Sequence, residues 1–474
     1  MVEKINKKRS KNIKKKISLK KIVTKANKPL IFDDYDSNLD LIDENYKFKT
    51  QNLPIQQFYF RTFPISEKAQ ELANIFDYQP YMIERYIQMF GEQETVDLLK
   101  SFETPNPIFI RVNTLKTNTN YLLNKLKEKG YDFENSEYIP YAYRLLDSEN
   151  YGIKSEIEKQ NSNLKTSDYK NEESPKKIKL DFSRSEEELR EISWGSPESF
   201  DKTKNRPNIS NSEEESYKIL PFLNKSKSQI THLMNYRKKK VATLGSTHEY
   251  LIGKYYIQGF ESMLPPLYLN PSESDLVIDM CAAPGSKTTQ LAQIMSNKGK
   301  IIAVDISKSR INSLIYNLRR CKVYNTIVLQ KDATELLSMN LQPDKVLLDA
   351  PCSGEGIIRN DPSRKKSKSP EDIKKLINLQ IDLLITAVKM VKPGGFVMYS
   401  TCSIAPEENE FVVQTILDNY KKVKIVPIED NFGMPGFINV FGVKLSEDFL
   451  NARRYFPHIH DTNGFFLCLL QKNK

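Results

Sequence analysis

The sequence predicts an α/β protein: a doubly wound sheet with helices on both faces, preceded by a smaller α+β module. Three observations carry this. After Pro271, short apolar runs alternate with amphipathic stretches of helical length, as strands and crossover helices do in a parallel sheet. Acidic residues recur at or just past the ends of these runs, at Asp279, Asp305, Asp332 and Asp349, and strand ends are where open α/β sheets hold their ligands. Two cysteines, Cys352 in Asp349-Ala350-Pro351-Cys352-Ser353-Gly354 and Cys402 in Tyr399-Ser400-Thr401-Cys402-Ser403, also follow such runs. Both thiols are therefore expected at the reactive edge of the sheet.

Taken in order, residues 1–28 hold twelve Lys or Arg against Glu3 alone. Self-repulsion at that density predicts a basic disordered tail over 1–50, with Lys7-Lys8-Arg9 and Lys14-Lys15-Lys16 suited to a nuclear address or to phosphate binding. From about residue 66, Leu72, Ile75, Phe76, Met82, Ile83, Tyr86, Ile87 and Phe90 recur at helical spacing, with Gly91 as a stop. A strand at 108–112, a helix at 117–129 ending at Gly130, and strand material at 138–146 complete a helical and α+β module over 51–147. Periodicity collapses into Lys, Glu, Ser and Asn over 148–238, an expected disordered insertion that includes Trp194. It returns at His248, so 239–270 is expected to finish the front module. Within 271–474 the predicted order is strand 276–280, helix 288–295, strand 301–306, helix 309–320, strands 326–329 and 345–348, helix 371–391 and strand 396–399.

Composition narrows the partner. Lys and Arg total 71 against 60 acids, a net charge of +11 with pI ≈ 9.0, which fits a polyanion, nucleic acid first, although lysine bias alone gives the same balance. Five cysteines without a Cys-x-x-Cys pair point to a reducing compartment and to no structural metal; His458 and His460, lacking thiol ligands nearby, read as structural. No apolar run approaches the ~18–20 residues of a membrane span, so no membrane association is expected.

The turn after the first strand of the large domain, Cys281-Ala282-Ala283-Pro284-Gly285-Ser286-Lys287, has small residues that let a ligand approach a helix N-terminus. A Walker A loop does not fit, because Ser286 separates Gly285 from Lys287 and position 281 is cysteine. Asp305, about twenty residues on, suits the hydroxyls of a ribose. Asp332 suits the amino group of an adenine, or else caps the next helix. Carboxylates for sugar and base without a phosphate cradle favour S-adenosylmethionine over a dinucleotide.

These strings, with Pro406-Glu407-Glu408-Asn409-Glu410, resemble the Nop/Sun family of RNA cytosine-5 methyltransferases over residues 66–147 and 239–471. Arg111-Val112-Asn113-Thr114-Leu115-Lys116 is similar to the family's front-domain signature. Arg453-Arg454-Tyr455-Phe456-Pro457-His458 and Gly464-Phe465-Phe466 resemble its nucleolar branch. The resemblance implies a class I methyltransferase sheet, an RNA-recognition module in front of it, Cys402 as nucleophile and Cys352 as an aid to release of methylated RNA; spacing alone does not choose between the cysteines. Carbon 5 of cytosine needs such help, because only thiolate addition at carbon 6 makes it electron-rich enough to accept a methyl group. Asp349 is then placed to hydrogen-bond the ring nitrogen or exocyclic amine, and Lys287 to orient the base or hold the thiolate. Ser286 and Glu355 depart from a frequent glycine and a commoner threonine. The substrate implied is unpaired RNA, most directly large-subunit pre-rRNA in the nucleolus alongside pre-ribosomal proteins, with tRNA methylation or a catalytically silent assembly factor as alternatives. Arg111, Lys116 and the basic arm are candidate phosphate contacts, and the loop 360–366 is expected to fold over the substrate.

Overall fold

A computed structural model describes residues 30–33, 61–146 and 243–474; the insertion expected at 148–238 and nearly all of the basic tail lie outside them. Within the tail, Leu30–Asp33 forms strand β1, an apolar triplet that charge density overshadowed. Helices α1 (Glu67–Phe76), α2 (Pro80–Phe90) and α3 (Glu92–Phe102) follow. Ser66 caps α1 by accepting from the Ala69 N–H, Pro80 opens α2, and Gly91, at φ 81°, breaks α2 from α3. Leu72, Met82, Ile83, Tyr86, Leu98 and Phe102 close between them, each burial worth roughly 1.5–3 kcal/mol. The sequence periodicity anticipates α1 and α2 but not α3.

The front sheet is antiparallel, in the order β3-β4-β2-β5, from β2 (Phe109–Val112), β3 (Asp132–Asn135), β4 (Ala142–Leu146) and β5 (Tyr255–Ile257). Helix α4 (Thr119–Lys127) buries Leu122 and Leu126 beside it. Strand β5 pairs with β2 in the register Ile110↔Ile257 and Val112↔Tyr255, so chain from beyond residue 243 completes the sheet. Short helix α5 (His248–Leu251) precedes β5, and α6 (Phe260–Leu269) leads on from it.

The large sheet is built from β6 (Leu276–Asp279), β7 (Lys300–Asp305), β8 (Thr326–Gln330), β9 (Lys345–Asp349) and β10 (Phe396–Thr401), with helices α7 (Ser286–Ile294), α8 (Lys308–Arg320), α9 (Pro370–Met390) and α10 (Glu410–Asn419) between and after them. Strands β11 (Val423–Ile425), β12 (Met434–Pro435), β13 (Asn439–Val440), β14 (Val443–Lys444) and β15 (Arg453–Tyr455), short helix α11 (Pro457–His460) and strand β16 (Phe465–Lys472) finish the chain. The order is β1-β8-β7-β6-β9-β10-β16-β15-β12, with β11 also on β16 and β13 paired to β14 apart. Strands β1 and β6 to β10 run parallel, and β6 lies between β7 and β9. The strand order therefore reverses at β6, opening a crevice at the carboxyl ends of β6 and β9.

The wholly parallel sheet expected from the alternation needs one correction. Strand β16 pairs antiparallel to β10, Phe396↔Gln471 through Thr401↔Phe466, and β15 is antiparallel to β16. An antiparallel neighbour needs no crossover helix, so strand-helix alternation gives no sign of it. Phe465, Phe466, Leu467, Cys468 and Leu470 are all buried, the near-continuous apolar run of a strand covered on both faces.

Candidate active site

Strands β9 and β10 are neighbours, with Ser400 opposite Asp349, so the loops beyond them start side by side. That adjacency brings together cysteines fifty positions apart, with Cys352 Sγ 3.3 Å from Cys402 Sγ. Both side chains are half-buried. The hydrogen bond to the Cys402 sulfur, and then burial, push the Cys352 thiol well above its ordinary value. Cys352 is thus held as a thiol beside the Cys402 sulfur.

Beside the sulfurs, Lys287 Nζ lies 2.6 Å from Asp349 Oδ2, and the Ser400 hydroxyl donates to Asp349 Oδ1 at 2.7 Å. Burial lowers the Lys287 pKa. The ion pair with Asp349 and the attraction of the Cys402 sulfur outweigh it, so the ammonium stays above its usual value. Lys287, Asp349, Cys402, Gln258, Asn463 and Phe465 share one cleft of about 620 Å³ between the two sheets, in the size range of small-molecule sites.

The loops carrying the cysteines are held by buried polar side chains. Glu408 accepts from the Ser353 N–H at 2.8 Å, its hydroxyl at 2.5 Å and Gln380 Nε2 at 3.0 Å. Asn409 Oδ1 accepts from the Thr401 hydroxyl at 2.6 Å, and its nitrogen donates to the Ser403 carbonyl at 2.9 Å. Glu410 pairs with buried Arg454. Arg85, from α2, grips Glu407 with Nε at 3.0 Å and Nη2 at 2.6 Å, and reaches Glu355 with Nη1 at 3.0 Å. Glu355, the departure from threonine, therefore joins the Cys352 loop to the helical module. At the crossing of the loops a Cβ on Gly356 would lie 2.1 Å from the Gly464 carbonyl oxygen and 2.7 Å from that of Cys402, so only glycine lets these backbones meet.

On the other side of β6, the turn 281–286 is tied to β7 and α8. The N–H groups of Ala283 and Ser307 each donate at 3.0 Å to the two oxygens of Asp305, and Asn317 Nδ2 donates to the Pro284 carbonyl at 2.9 Å. Gly285, at φ 103°, caps α7. A Cβ there would lie 2.8 Å from Leu314 Cδ1. Cys281 is half-buried, its thiol raised well above the ordinary value by burial. One oxygen of Asp332 accepts from the Thr334 N–H at 2.8 Å, so the capping role weighed in the sequence is realised.

Asp279 stands apart from the sequence-derived site residues. It is buried, Oδ2 accepts from the Thr288 hydroxyl at 2.7 Å, and Oδ1 has no partner. Burial pushes its carboxyl up to about 7. The sign follows: native chain binds this proton more tightly than unfolded chain, so stability falls as pH rises from the ordinary value of 3.8 towards 7, and the penalty is complete above that. Asp279→Asn is expected to stabilise the ligand-free protein by about 1–3 kcal/mol at pH 8 and by little at pH 4. Thermal melts at both pH values check this; equal shifts would show that no buried charge was removed.

Two expectations fail on contact with the fold. Arg111 is no phosphate contact: it is buried, and donates to the Ser286 carbonyl at 2.9 Å and the Thr289 hydroxyl at 2.7 Å, tying β2 to α7. Lys116 Nζ donates to the carbonyls of Ile252 and Arg320, so its charge satisfies helix ends. The loop 360–366 divides: Asn360 lines the cleft, whereas the Lys365 carbonyl accepts from the Gln79 N–H at 3.2 Å and Lys365 Nζ donates to the Phe76 carbonyl at 3.1 Å. His460 Nδ1 accepts from the Phe456 N–H at 2.9 Å, as a structural histidine does. Cys321 and Cys468 are buried.

A family model described as 16S rRNA methyltransferase RsmB/F matches residues 266–471, and a model of the RsmF/B-like ferredoxin-like domain matches 78–150. The tRNA (cytosine(72)-C(5))-methyltransferase of Pyrococcus horikoshii is 30% identical over 399 residues, 82% of this chain and 96% of that protein. The 28S rRNA (cytosine-C(5))-methyltransferase of Mus musculus is 42% identical over 233 residues, 48% of this chain and 29% of that protein. The chain thus spans less than a third of the length of its mouse and human relatives. A crystal structure of a methyltransferase homolog protein from P. horikoshii matches with TM-score 0.60 and 30% identity, covering 86% of this chain and 99% of that one. A second from that organism, NSun6 with SFG, gives 0.58 at 26% identity, over 83% and 97%. The sheet is that of a class I methyltransferase with a smaller module before it, and the chain belongs to the RsmB/F, or Nop/Sun, methyltransferase family.

Proposed function

We propose that this chain is an S-adenosylmethionine-dependent methyltransferase that makes 5-methylcytosine in RNA, acting on large-subunit rRNA in the nucleolus. The observation that carries the reading is the sulfur pair at 3.3 Å, whose Cys402 member lines a cleft together with the Lys287–Asp349 ion pair. The crevice fits the cofactor chemically. Asp305 offers a carboxylate to ribose hydroxyls and Asp332 an acceptor to the adenine amine. The bound cofactor supplies an electrophilic methyl group.

The chain's residues do the rest. Cys402 thiolate bonds to carbon 6 of a cytosine taken out of its stack, with the Cys352 S–H and the Lys287 ammonium favouring the thiolate. As the carbon 6–sulfur bond forms, ring nitrogen 3 takes a proton from water, and Asp349, fixed by Lys287 and Ser400, accepts a hydrogen bond from that N–H. Nitrogen 3 gives the proton back as electron density reaches carbon 5 and carbon 5 takes the methyl group; carbon 5 then loses its own proton to water in the cleft, and the pair left behind re-forms the carbon 5–carbon 6 double bond as the carbon–sulfur bond breaks and Cys402 leaves as thiolate. The leaving thiolate again meets the Cys352 proton, which gives Cys352 its place in release.

Asp305→Ala is expected to weaken cofactor binding by about 10- to 100-fold, since a lost charge-assisted pair costs about 1.5–3 kcal/mol. Calorimetric titration with S-adenosylhomocysteine checks it, and unchanged affinity would remove the ribose assignment. Relatives named for rRNA at 37–42% identity over 233 or 234 residues support the rRNA substrate; the archaeal tRNA relative supports the second reading. Bisulfite sequencing of RNA from depleted cells separates them: loss of a large-subunit rRNA mark is expected, and loss confined to tRNA would replace that substrate.

A further inference from the structure

The two sulfurs are placed to react with each other as well as with RNA. Cys352 Sγ and Cys402 Sγ lie 3.3 Å apart; a disulfide needs about 2.05 Å, and side-chain rotation supplies the remaining approach of about 1.3 Å. The loops that carry them are held in register. One position on in each loop, Ser353 Oγ and Ser403 Oγ are also 3.3 Å apart. The Gly356 N–H donates to the Cys402 carbonyl at 2.9 Å and the Ala350 N–H to the Ser400 carbonyl at 2.8 Å. The sulfur pair is therefore a standing feature of the fold.

Both cysteines remain partly exposed, and Cys402 lines the cleft beside the Lys287 ammonium, whose charge is drawn to its sulfur. A thiol beside a cation, open to small solutes and with a second thiol in reach, has the surroundings of a cysteine that peroxides oxidise selectively. The other three cysteines lack them. Cys321 and Cys468 are buried, and burial, then the carboxylates of Asp305, Asp279 and Asp349, hold Cys281 as a thiol.

We propose that Cys402 and Cys352 form a site of reversible oxidative modification, at which hydrogen peroxide closes a disulfide that removes the nucleophile and a dithiol reductant restores it. The Cys402 thiolate attacks one peroxide oxygen, giving a sulfenic acid and hydroxide. The Cys352 sulfur then displaces the hydroxyl of that sulfenic acid, which departs as water with the Cys352 proton. Two thiols have lost two electrons and two protons, and peroxide has become two waters. The hydrogen bond to its neighbour and burial make Cys352 a weak attacking group, but a partner already in contact gains the advantage of an intramolecular reaction, worth effective concentrations of about 10⁵ M or more. Reduction runs by exchange: one thiolate of the dithiol attacks the disulfide, and the second closes the reductant's own disulfide and frees both cysteines. Without Cys352 the sulfenic acid goes on to a sulfinic acid, which dithiols do not reverse, so the second cysteine protects the first. The bond itself is independent of the cytosine-5 reading above; its effect on methylation rests on that reading.

The test begins with the full chain free of RNA and cofactor. It is exposed to hydrogen peroxide, its remaining thiols are alkylated, and the pairing is read by mass spectrometry of unreduced peptides. The 352–402 disulfide is expected at about 10-fold or more above any other pairing, and dithiothreitol is expected to return both thiols. The same chain oxidised in guanidinium is expected to lose that preference. In the Cys352→Ala chain Cys402 is expected to reach sulfinic acid; the yield of RNA adduct after peroxide and then dithiothreitol is expected to fall about 10-fold or more, whereas the unsubstituted chain regains methyl transfer. A sulfinic acid at Cys402 of the unsubstituted chain with Cys352 free, pairing without preference for 352–402, or a disulfide-bonded chain that methylates RNA in full overturns the proposal. Methyl transfer by the reduced chain is scored in parallel. Its presence in a chain that forms no disulfide rejects the oxidation site alone, and its absence in a chain that does form the bond rejects the cytosine-5 reading alone.

Discussion

Cys402→Ala is expected to abolish methyl transfer, with kcat falling by at least about 10³-fold, because loss of a covalent nucleophile removes the reaction path itself. Cys352→Ala behaves differently. The thiolate at 402 still adds to carbon 6, but the sulfur that stands 3.3 Å away no longer offers a proton to it as it leaves. A protein–RNA adduct is expected to accumulate in the Cys352→Ala chain and to survive denaturing electrophoresis with radiolabelled RNA. The double variant is expected to give none. Trapping in Cys402→Ala instead would exchange the two roles, and full turnover without the 402 sulfur would refute covalent catalysis. The pH dependence has a sign too: once Cys402 is bonded to carbon 6, burial still raises the Cys352 thiol, so adduct release is expected to slow only at high pH, where that proton is lost.

The reactive edge was readable from sequence because its parts are local. Asp349 and Cys352 lie on one strand end and Cys402 on the next, and strand-helix alternation already made those strands members of one parallel sheet, which the fold sets side by side. Asp305 was readable for the same reason, since a β-α-β unit fixes the distance from the glycine turn to the next strand end. What escaped are pairings across the chain. Arg85 meets Glu407 and Glu355 from 322 and 270 positions away, and Asn463 meets Glu261 from 202; neither spacing leaves a periodic trace. Arg111 shows the converse failure. Sequence reveals its charge but not its burial, and its hydrogen-bond partners on α7 are 175 and 178 positions distant. Strand β16 was missed because its burial on both faces removes the alternation that identifies a strand.

Arg85→Met is expected to destabilise the chain by about 3–5 kcal/mol, because it strands two buried carboxylates that shared one guanidinium. Burial already raises the Glu355 carboxyl, with Arg85 opposing the shift. Without the cation the Glu355 carboxyl moves further up. A carboxyl whose folded pKa exceeds its unfolded value contributes stability that is intact at low pH and lost as pH rises through the folded value. The deficit of Arg85→Met is therefore expected to grow from pH 5 to pH 8, as denaturant melts at the two values measure, and a pH-independent deficit would mean lost packing alone. Arg85→Met combined with Glu355→Gln and Glu407→Gln removes the stranded charges and is expected to regain most of the stability. It is not expected to regain the rate. The guanidinium links one glutamate from each cysteine loop, so neutral side chains restore the fold without fixing the separation of the sulfurs, and kcat should fall while KM for RNA changes little. Recovery of both stability and kcat in the triple variant would show that the loops hold their register through Glu408 and Asn409 alone.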